Sequence, residues 1–248
     1  MRVLVVAPHP DDEALACAGL VMATSEAHVV YVTSGDGFRR CADFLLGGHD
    51  AARMLALGRI RMDEAAECCR ALGVRSWSFL GFPDGFIGAV LRTPVGCTAR
   101  SPHTGADRVP YAGTLQPDAP YSAQALTALL RLAVARAAPD LLAVPVETDH
   151  HPDHRAVAVA LAGVAPGVRR WTYLVHHDTY PGYGLRWNRA LRPPAAALPG
   201  ERRYLPLGPG GQERKLAAIA LHGSQVAVLG RWMEAFVGRE EPFGEAGT

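Results

Sequence analysis

Residues 1–20 read MRVLVVAPHPDDEALACAGL, and this stretch decides the fold. Residues 2–7 are short, Val-rich and continuously apolar, the pattern of a strand buried on both faces. The run ends in a polar cluster of His9, Asp11, Asp12 and Glu13. Asp11 and Asp12 can open a helix, because carboxylates there meet unpaired N–H groups and the positive end of the dipole. Leu15, Ala18 and Val21 supply that helix with an apolar side.

The layout recurs far along the chain. Residues 141–146 form a second apolar run, and ETDHHPDHRAVAVAL follows from Glu147. It carries His151, Asp153 and His154, then Val157, Ala160, Leu161 and Val164 at helical spacing. Between the two stretches, strands are expected at 28–33 and 76–80. A helix is expected over 61–72, stopped by Gly73. Another runs from Ser122 to just before Pro139. Residues 171–176 read as a strand, 178–210 as loop, 212–234 as a last helix, and 238–248 as a frayed tail. Residues 38–58 give no clear pattern. From Arg92 to Pro120 prolines interrupt the chain and no periodicity survives. So long a loop serves as a lid or binding loop, or is a mobile surface insertion.

Strands alternating with helices predict an α/β fold with a mostly parallel sheet and helices on both faces, in one domain over 1–248. In such sheets ligands bind beyond the carboxyl ends of the strands. Both polar clusters follow a strand directly, so they are expected on one rim although about 140 residues separate them.

Composition narrows the function. The chain has 248 residues, 49% of them apolar and 20% charged, an ordinary globular balance. A net charge of +1 gives no reason to expect nucleic acid or an anionic membrane surface as partner. No apolar run approaches the roughly 18 residues that span a bilayer, and the apolar start runs into HPDDE without a signal-peptide layout. A cytoplasmic protein is expected. Five cysteines without a secretion signal argue against a disulfide framework. A homo-oligomer is neither required nor excluded.

Zinc accepts imidazole and carboxylate ligands, and a catalytic site keeps a position open for water. His9, Asp12 and one histidine of the second cluster would supply three ligands. Asp11 would remain free as general base, and the other of His151 and His154 would support a tetrahedral intermediate or protonate a departing amine. Asp153 reads as the partner that orients an imidazole, and Glu13 as a structural contact in the first helical turn. Singly, His9 is an ordinary strand-end residue and either aspartate an N-cap. Their joint pattern argues for a site. Iron, cobalt or nickel would also suit such a ligand set.

These residues resemble the zinc-dependent N-acetylglucosaminyl-phosphatidylinositol de-N-acetylases, the LmbE-like deacetylases. The family motif A-H-P-D-D-E is matched by APHPDDE from Ala7, with Pro8 inserted, and H-P-D-H by His151 to His154. RMDEAAECCRALGV from Arg61, GFPDG from Gly81 and KLAAIALHGSQ from Lys215 are similar to further family segments. The resemblance implies a Rossmann-like three-layer fold, zinc on His9, Asp12 and His154, Asp11 as base and His151 as acid or oxyanion support. It implies that Arg61 and Asp84 help bind a sugar. The implied reaction removes an acetyl group from an N-acetylglucosamine-containing small molecule, a GlcNAc-malate or GlcNAc-inositol conjugate. An amidase acting on a thiol conjugate is the alternative of the same chemistry. A nucleotide-binding module is a distant one, because the first turn holds carboxylates where pyrophosphate needs glycines.

Overall fold

In a computed structural model, which describes residues 1–245, the chain builds one seven-stranded sheet between two layers of helices. The first part runs β1 (Arg2–Ala7), α1 (Asp12–Ala16), α2 (Ala18–Met22), β2 (Glu26–Thr33), α3 (Arg39–Leu46), α4 (Ala51–Leu72) and β3 (Ser76–Phe82). The middle runs α5 (Ile87–Leu91), α6 (Ala123–Ala137), β4 (Leu141–Pro145), α7 (Pro152–Leu161) and β5 (Arg169–Tyr173). The last part runs β6 (Glu201–Pro206), α8 (Gly211–Ala220), α9 (Gly223–Glu234) and β7 (Glu240–Glu245).

The strand order is β3-β2-β1-β4-β5-β7-β6. β3 through β5 are parallel, and β7 joins antiparallel to both β5 and β6. The order reverses at β1, whose neighbours are β2 on one side and β4 on the other. That reversal opens a crevice at the carboxyl ends of β1 and β4. β1 and β4 are buried from Val3 to Ala7 and from Leu141 to Pro145, which explains their continuous apolar runs. α5, α6 and α7 pack with one another as one layer, and α1 to α4 pack with α8 and α9 as the other. Among the described residues no helix is long and apolar enough to cross a membrane.

Several segments differ from the sequence-based expectation. The helix expected at 61–72 is the second half of α4. That helix starts under an Asp50 cap, whose carboxylate accepts the Arg53 N–H at 3.0 Å. Met54 and Leu57 pack with Cys41 and Ala42 of α3 in a small separate core, so their burial depends on a partner helix. The helix after HPDDE is interrupted at Cys17. The helix expected over 212–234 breaks into α8 and α9, joined through Leu221 and His222.

The expected loop 178–210 contains β6, which is largely exposed and so lacks an apolar signature. The expected frayed tail is corrected as well. Glu240–Glu245 is β7, which lies between β5 and β6 in the sheet with Phe243 fully buried; residues 246–248 lie outside the described residues. The segment 92–120 has no helix or strand but is tied to the sheet. Leu115 N–H donates to Phe79 O of the edge strand β3 at 2.7 Å, and Val109, Tyr111 and Ala119 are buried. It therefore covers an edge that would otherwise present free N–H and C=O groups.

Candidate active site

The two polar clusters leave the carboxyl ends of adjacent strands. After β1 the chain turns through Pro8–Asp11 into α1; after β4 it turns through 146–151 into α7, with Pro152 at the first turn of that helix. β1 and β4 pair directly, with Val5 opposite Ala143. Residues 145 positions apart thus meet: His154 Nε2 lies 3.3 Å from His9 Nδ1.

Asp12 completes a triangle. Its Oδ2 lies 3.5 Å from His9 Nδ1 and 3.3 Å from His154 Nε2. Bonds of roughly 2.0–2.2 Å in a tetrahedron put neighbouring ligand atoms roughly 3.3–3.6 Å apart, so the three atoms fit one zinc ion. The electrostatics agree. Burial would push both imidazoles down, yet Asp84, Asp12 and Asp153 outweigh it and hold His9 well above its ordinary range. Asp12 and Asp149 likewise lift His154 to about 9 against its burial. Burial also works against the Asp12 carboxylate, but His154 and His9 hold it well below the carboxylate range. Carboxylates that raise both imidazoles against their burial mark a pocket with surplus negative charge, which a divalent cation would neutralise. Other combinations come close enough to share an ion: His9, His151 and His154; Asp12, His154 and His176; His9, Asp84 and Asp153; Glu13, Cys68 and His222.

Each of the two candidate histidine ligands has a carboxylate behind it. Asp153 Oδ2 lies 3.3 Å from His9 Nε2, and its two oxygens accept the N–H groups of Gly85 and Ile87 at 2.6 and 3.0 Å. The imidazole that lies against Asp153 is therefore that of His9. Asp149 does the same for His154: Oδ2 lies 3.2 Å from Nδ1 and also accepts the N–H groups of Val175 and His176. Such partners fix the tautomer and ring orientation of a ligand.

Asp11 stands beside this triangle at φ 146°, ψ −24°, a backbone region that costs a non-glycine residue of order 1–3 kcal/mol. Arg61 Nη2 donates to its Oδ2 at 3.2 Å. Burial pushes the Asp11 carboxyl up to about 6, against the pull of Arg61. Arg61 also donates to Pro10 O and Gly35 O, and its Nη1 lies 3.6 Å from Asp84 Oδ2. Asp84 in turn accepts the Gly37 N–H at 3.1 Å and has Oδ1 3.1 Å from His9 Nε2. Arg61 and Asp84 line the cleft and also brace Asp11, His9 and the neighbouring turns.

His151 faces the same space. Its Nδ1 accepts the Asp153 N–H at 3.2 Å, so the neutral ring carries its proton on Nε2. Burial and the neighbouring His9 and His154 lower its pKa to about 4. The cleft has a volume of about 500 Å³, in the range of small-molecule sites. His9, Asp11, Arg61, Asp84, His151, His176 and Gln225 form its polar side-chain lining; Leu15, Phe38, Leu229 and Trp232 form its apolar lining. Asp12, Asp153 and His154 lie beneath, essentially inaccessible.

Sequence reasoning passed over Asp149, His176 and Trp232. His176 stacks on Trp232, with ring centroids 5.4 Å apart. The signal for His176 was present as a third strand ending on the same rim in a histidine pair, His176 and His177. Trp232 had no such signal, because its place depends on how α9 crosses the cleft.

Fold and site together define an α/β protein with a buried His/Asp cluster at the switch point of its sheet. Residues 4–165 match the family described as GlcNAc-PI de-N-acetylase, PIG-L. A 1D-myo-inositol 2-acetamido-2-deoxy-alpha-D-glucopyranoside deacetylase of Thermobispora bispora is 30% identical over 96% of this chain and 84% of its own length. A probable N-acetyl-alpha-D-glucosaminyl L-malate deacetylase 2 of Bacillus cereus is 35% identical over 34% of this chain and 37% of its own. The chain belongs to the GlcNAc-PI de-N-acetylase family. Among solved structures, N,N'-diacetylchitobiose deacetylase of Pyrococcus horikoshii shares the fold, with a TM-score of 0.60 at 19% identity over 99% of this chain and 83% of that one.

Proposed function

We propose that this protein is a metal-dependent N-deacetylase acting on a small N-acetylglucosamine conjugate, with zinc held by His9, Asp12 and His154. One observation carries the reading. The three ligand atoms lie within 3.5 Å of one another, and the Asp11 carboxylate and His151 ring open onto the same cleft. When bound, zinc supplies a Lewis acid that polarises the amide carbonyl and makes water acidic enough to react near neutral pH.

The protein groups then divide the remaining work. Asp11 takes the proton of the attacking water as oxygen adds to the amide carbon. The Nε2–H of His151 donates to the oxyanion that develops. Asp11 returns the proton to nitrogen as the C–N bond breaks, leaving a free amine and acetate. Arg61 steadies the Asp11 carboxylate, while Asp84 and Asp153 steady His9.

The relative matched over nearly the whole chain acts, by its name, on an N-acetylglucosamine–inositol conjugate. The apolar lining of Leu15, Phe38, Leu229 and Trp232 suits the carbon face of a neutral sugar conjugate, so an inositol-type substrate is proposed ahead of a malate-type one. The test measures acetate and amine release from N-acetylglucosamine conjugates of inositol, malate and a second N-acetylglucosamine, with metal content assayed on the same sample. Metal-dependent release, fastest from the inositol conjugate, is expected. A metal-loaded protein that releases acetate from none of them, yet cleaves acyl amides lacking a sugar, would replace this reading with an amidase.

A further inference from the structure

The late segment KLAAIALHGSQ contains a histidine that the proposed chemistry does not use. His222 stands between α8 and α9 with no exposed surface. Its Nε2 lies 2.8 Å from Glu13 Oε1, and Glu13 is equally buried. The other carboxylate oxygen, Glu13 Oε2, accepts the backbone N–H of Asp11 at 3.1 Å. A continuous line of polar contacts therefore runs from α9 through Glu13 to the Asp11 peptide.

That peptide needs holding. Asp11 adopts φ 146° without being glycine, and such a conformation persists only where the surroundings over-determine it. Its carboxylate end is held by Arg61 of α4. Its backbone end is held by Glu13, which His222 fixes in turn. α4 and α9 are themselves joined, because Glu64 accepts both the Ser224 N–H and the Ser224 hydroxyl at 2.7 and 2.5 Å. Polar side chains buried this completely are costly unless paired, and this pair also sets a neighbouring geometry, because Glu13 holds the Asp11 N–H.

We propose that His222 and Glu13 form a buried positioning pair that holds the Asp11 peptide in its positive-φ conformation and so aims the Asp11 carboxylate into the cleft. The inference rests on the reading of Asp11 as the base. Neither residue touches substrate; both act through Asp11. The helix that starts at His222 also brings Gln225, Leu229 and Trp232 to the cleft, so one residue registers the base against the substrate-facing wall.

The test compares His222→Leu, which removes the N–H donor at similar volume, with His222→Gln, which keeps a donor at similar reach. His222→Leu is expected to lower kcat roughly 10- to 100-fold, the scale of a small misplacement of a catalytic group, with KM and metal content unchanged. His222→Gln is expected to recover most of that loss. Crystal structures of both variants supply a readout independent of turnover. Asp11 should leave the positive-φ region in His222→Leu and keep it in His222→Gln. If His222→Leu does not fold, His222→Asn, whose donor falls short of Glu13, takes its place with the same expected loss. Wild-type kcat in the donor-less variant, equal loss in both variants, or Asp11 still near φ 146° without the donor would overturn the proposal. Metal lost in step with kcat would overturn it as well, by moving the effect to Asp12. A wild-type protein without deacetylase activity would sink the function assigned above, and the Asp11 backbone comparison would still decide this one.

Discussion

Asp11→Asn keeps the size of the side chain and removes its capacity to take a proton, whereas His154→Ala removes a ligand. The first should cost roughly 10²- to 10⁴-fold in turnover and leave bound metal unchanged; the second should lose the metal. Metal analysis beside steady-state kinetics separates them, and loss of metal from Asp11→Asn would place Asp11 among the ligands. A third residue makes a pH-dependent prediction. Burial raises the Asp36 carboxyl from 3.8 to about 6, against the Tyr111 hydroxyl and Asp84 N–H that it accepts. A raised acid stabilises the fold fully below about pH 3.8 and loses that contribution as pH rises through about 6. Asp36→Asn imitates the neutral acid at every pH. It should gain on the wild type by roughly 3 kcal/mol between pH 4 and pH 7. Parallel denaturation midpoints for the two proteins across that range would contradict the assignment. At this scale the ligand candidates were legible in sequence, because imidazoles and carboxylates crowd the ends of two apolar runs. Asp36 and Asp149 were not legible, since their partners, Tyr111 and Asp84 for one and His154 for the other, are set by tertiary contact.

The interface between α4 and the covering segment 92–120 yields a prediction that reverses the usual helix rule. Gly58 lies inside α4, where Ala would ordinarily be better by about 1 kcal/mol. A Cβ there would run into the Tyr111 hydroxyl and approach Asp36 Cβ to 3.1 Å. Gly58→Ala should therefore destabilise the protein by roughly 1–3 kcal/mol, the usual cost of overpacking. A rise in melting temperature would show that Tyr111 yields freely. Gly58 also explains why the first half of α4 was not read from sequence. A glycine in the middle weakens the helical pattern, and Met54 and Leu57 face only the small core with α3. β6 and β7 were missed for a related reason: β6 exposes most of its side chains, and β7 holds Pro242 and Gly244, both poor strand formers.

Across the whole molecule, the late segment KLAAIALHGSQ ties its helix layer to the sheet and to earlier helices through buried partners. Lys215, the single lysine of the chain, lies 2.6 Å from Glu241 of β7, and neither side chain reaches solvent. Glu241 also accepts the Leu20 N–H of α2 at 3.3 Å. Lys215→Met would strand that carboxylate and should cost roughly 3–5 kcal/mol. A chemical-denaturation curve superimposable on the wild type would exclude it. The parallel α/β architecture is readable from alternating strand and helix patterns, and it puts both polar clusters on one rim. Which atoms converge there was not readable, because this depends on the pairing of β1 with β4 and on Asp149 and Asp153 turning the two imidazoles. In the proposed function, two motifs about 140 residues apart hold one metal next to Asp11. Anomalous diffraction at the zinc edge, on crystals of the zinc-loaded protein, tests it most directly. One strong peak bonded to His9 Nδ1, Asp12 Oδ2 and His154 Nε2 is expected. A peak seated instead among His9 Nε2, Asp84 and Asp153, or among Glu13, Cys68 and His222, would contradict it.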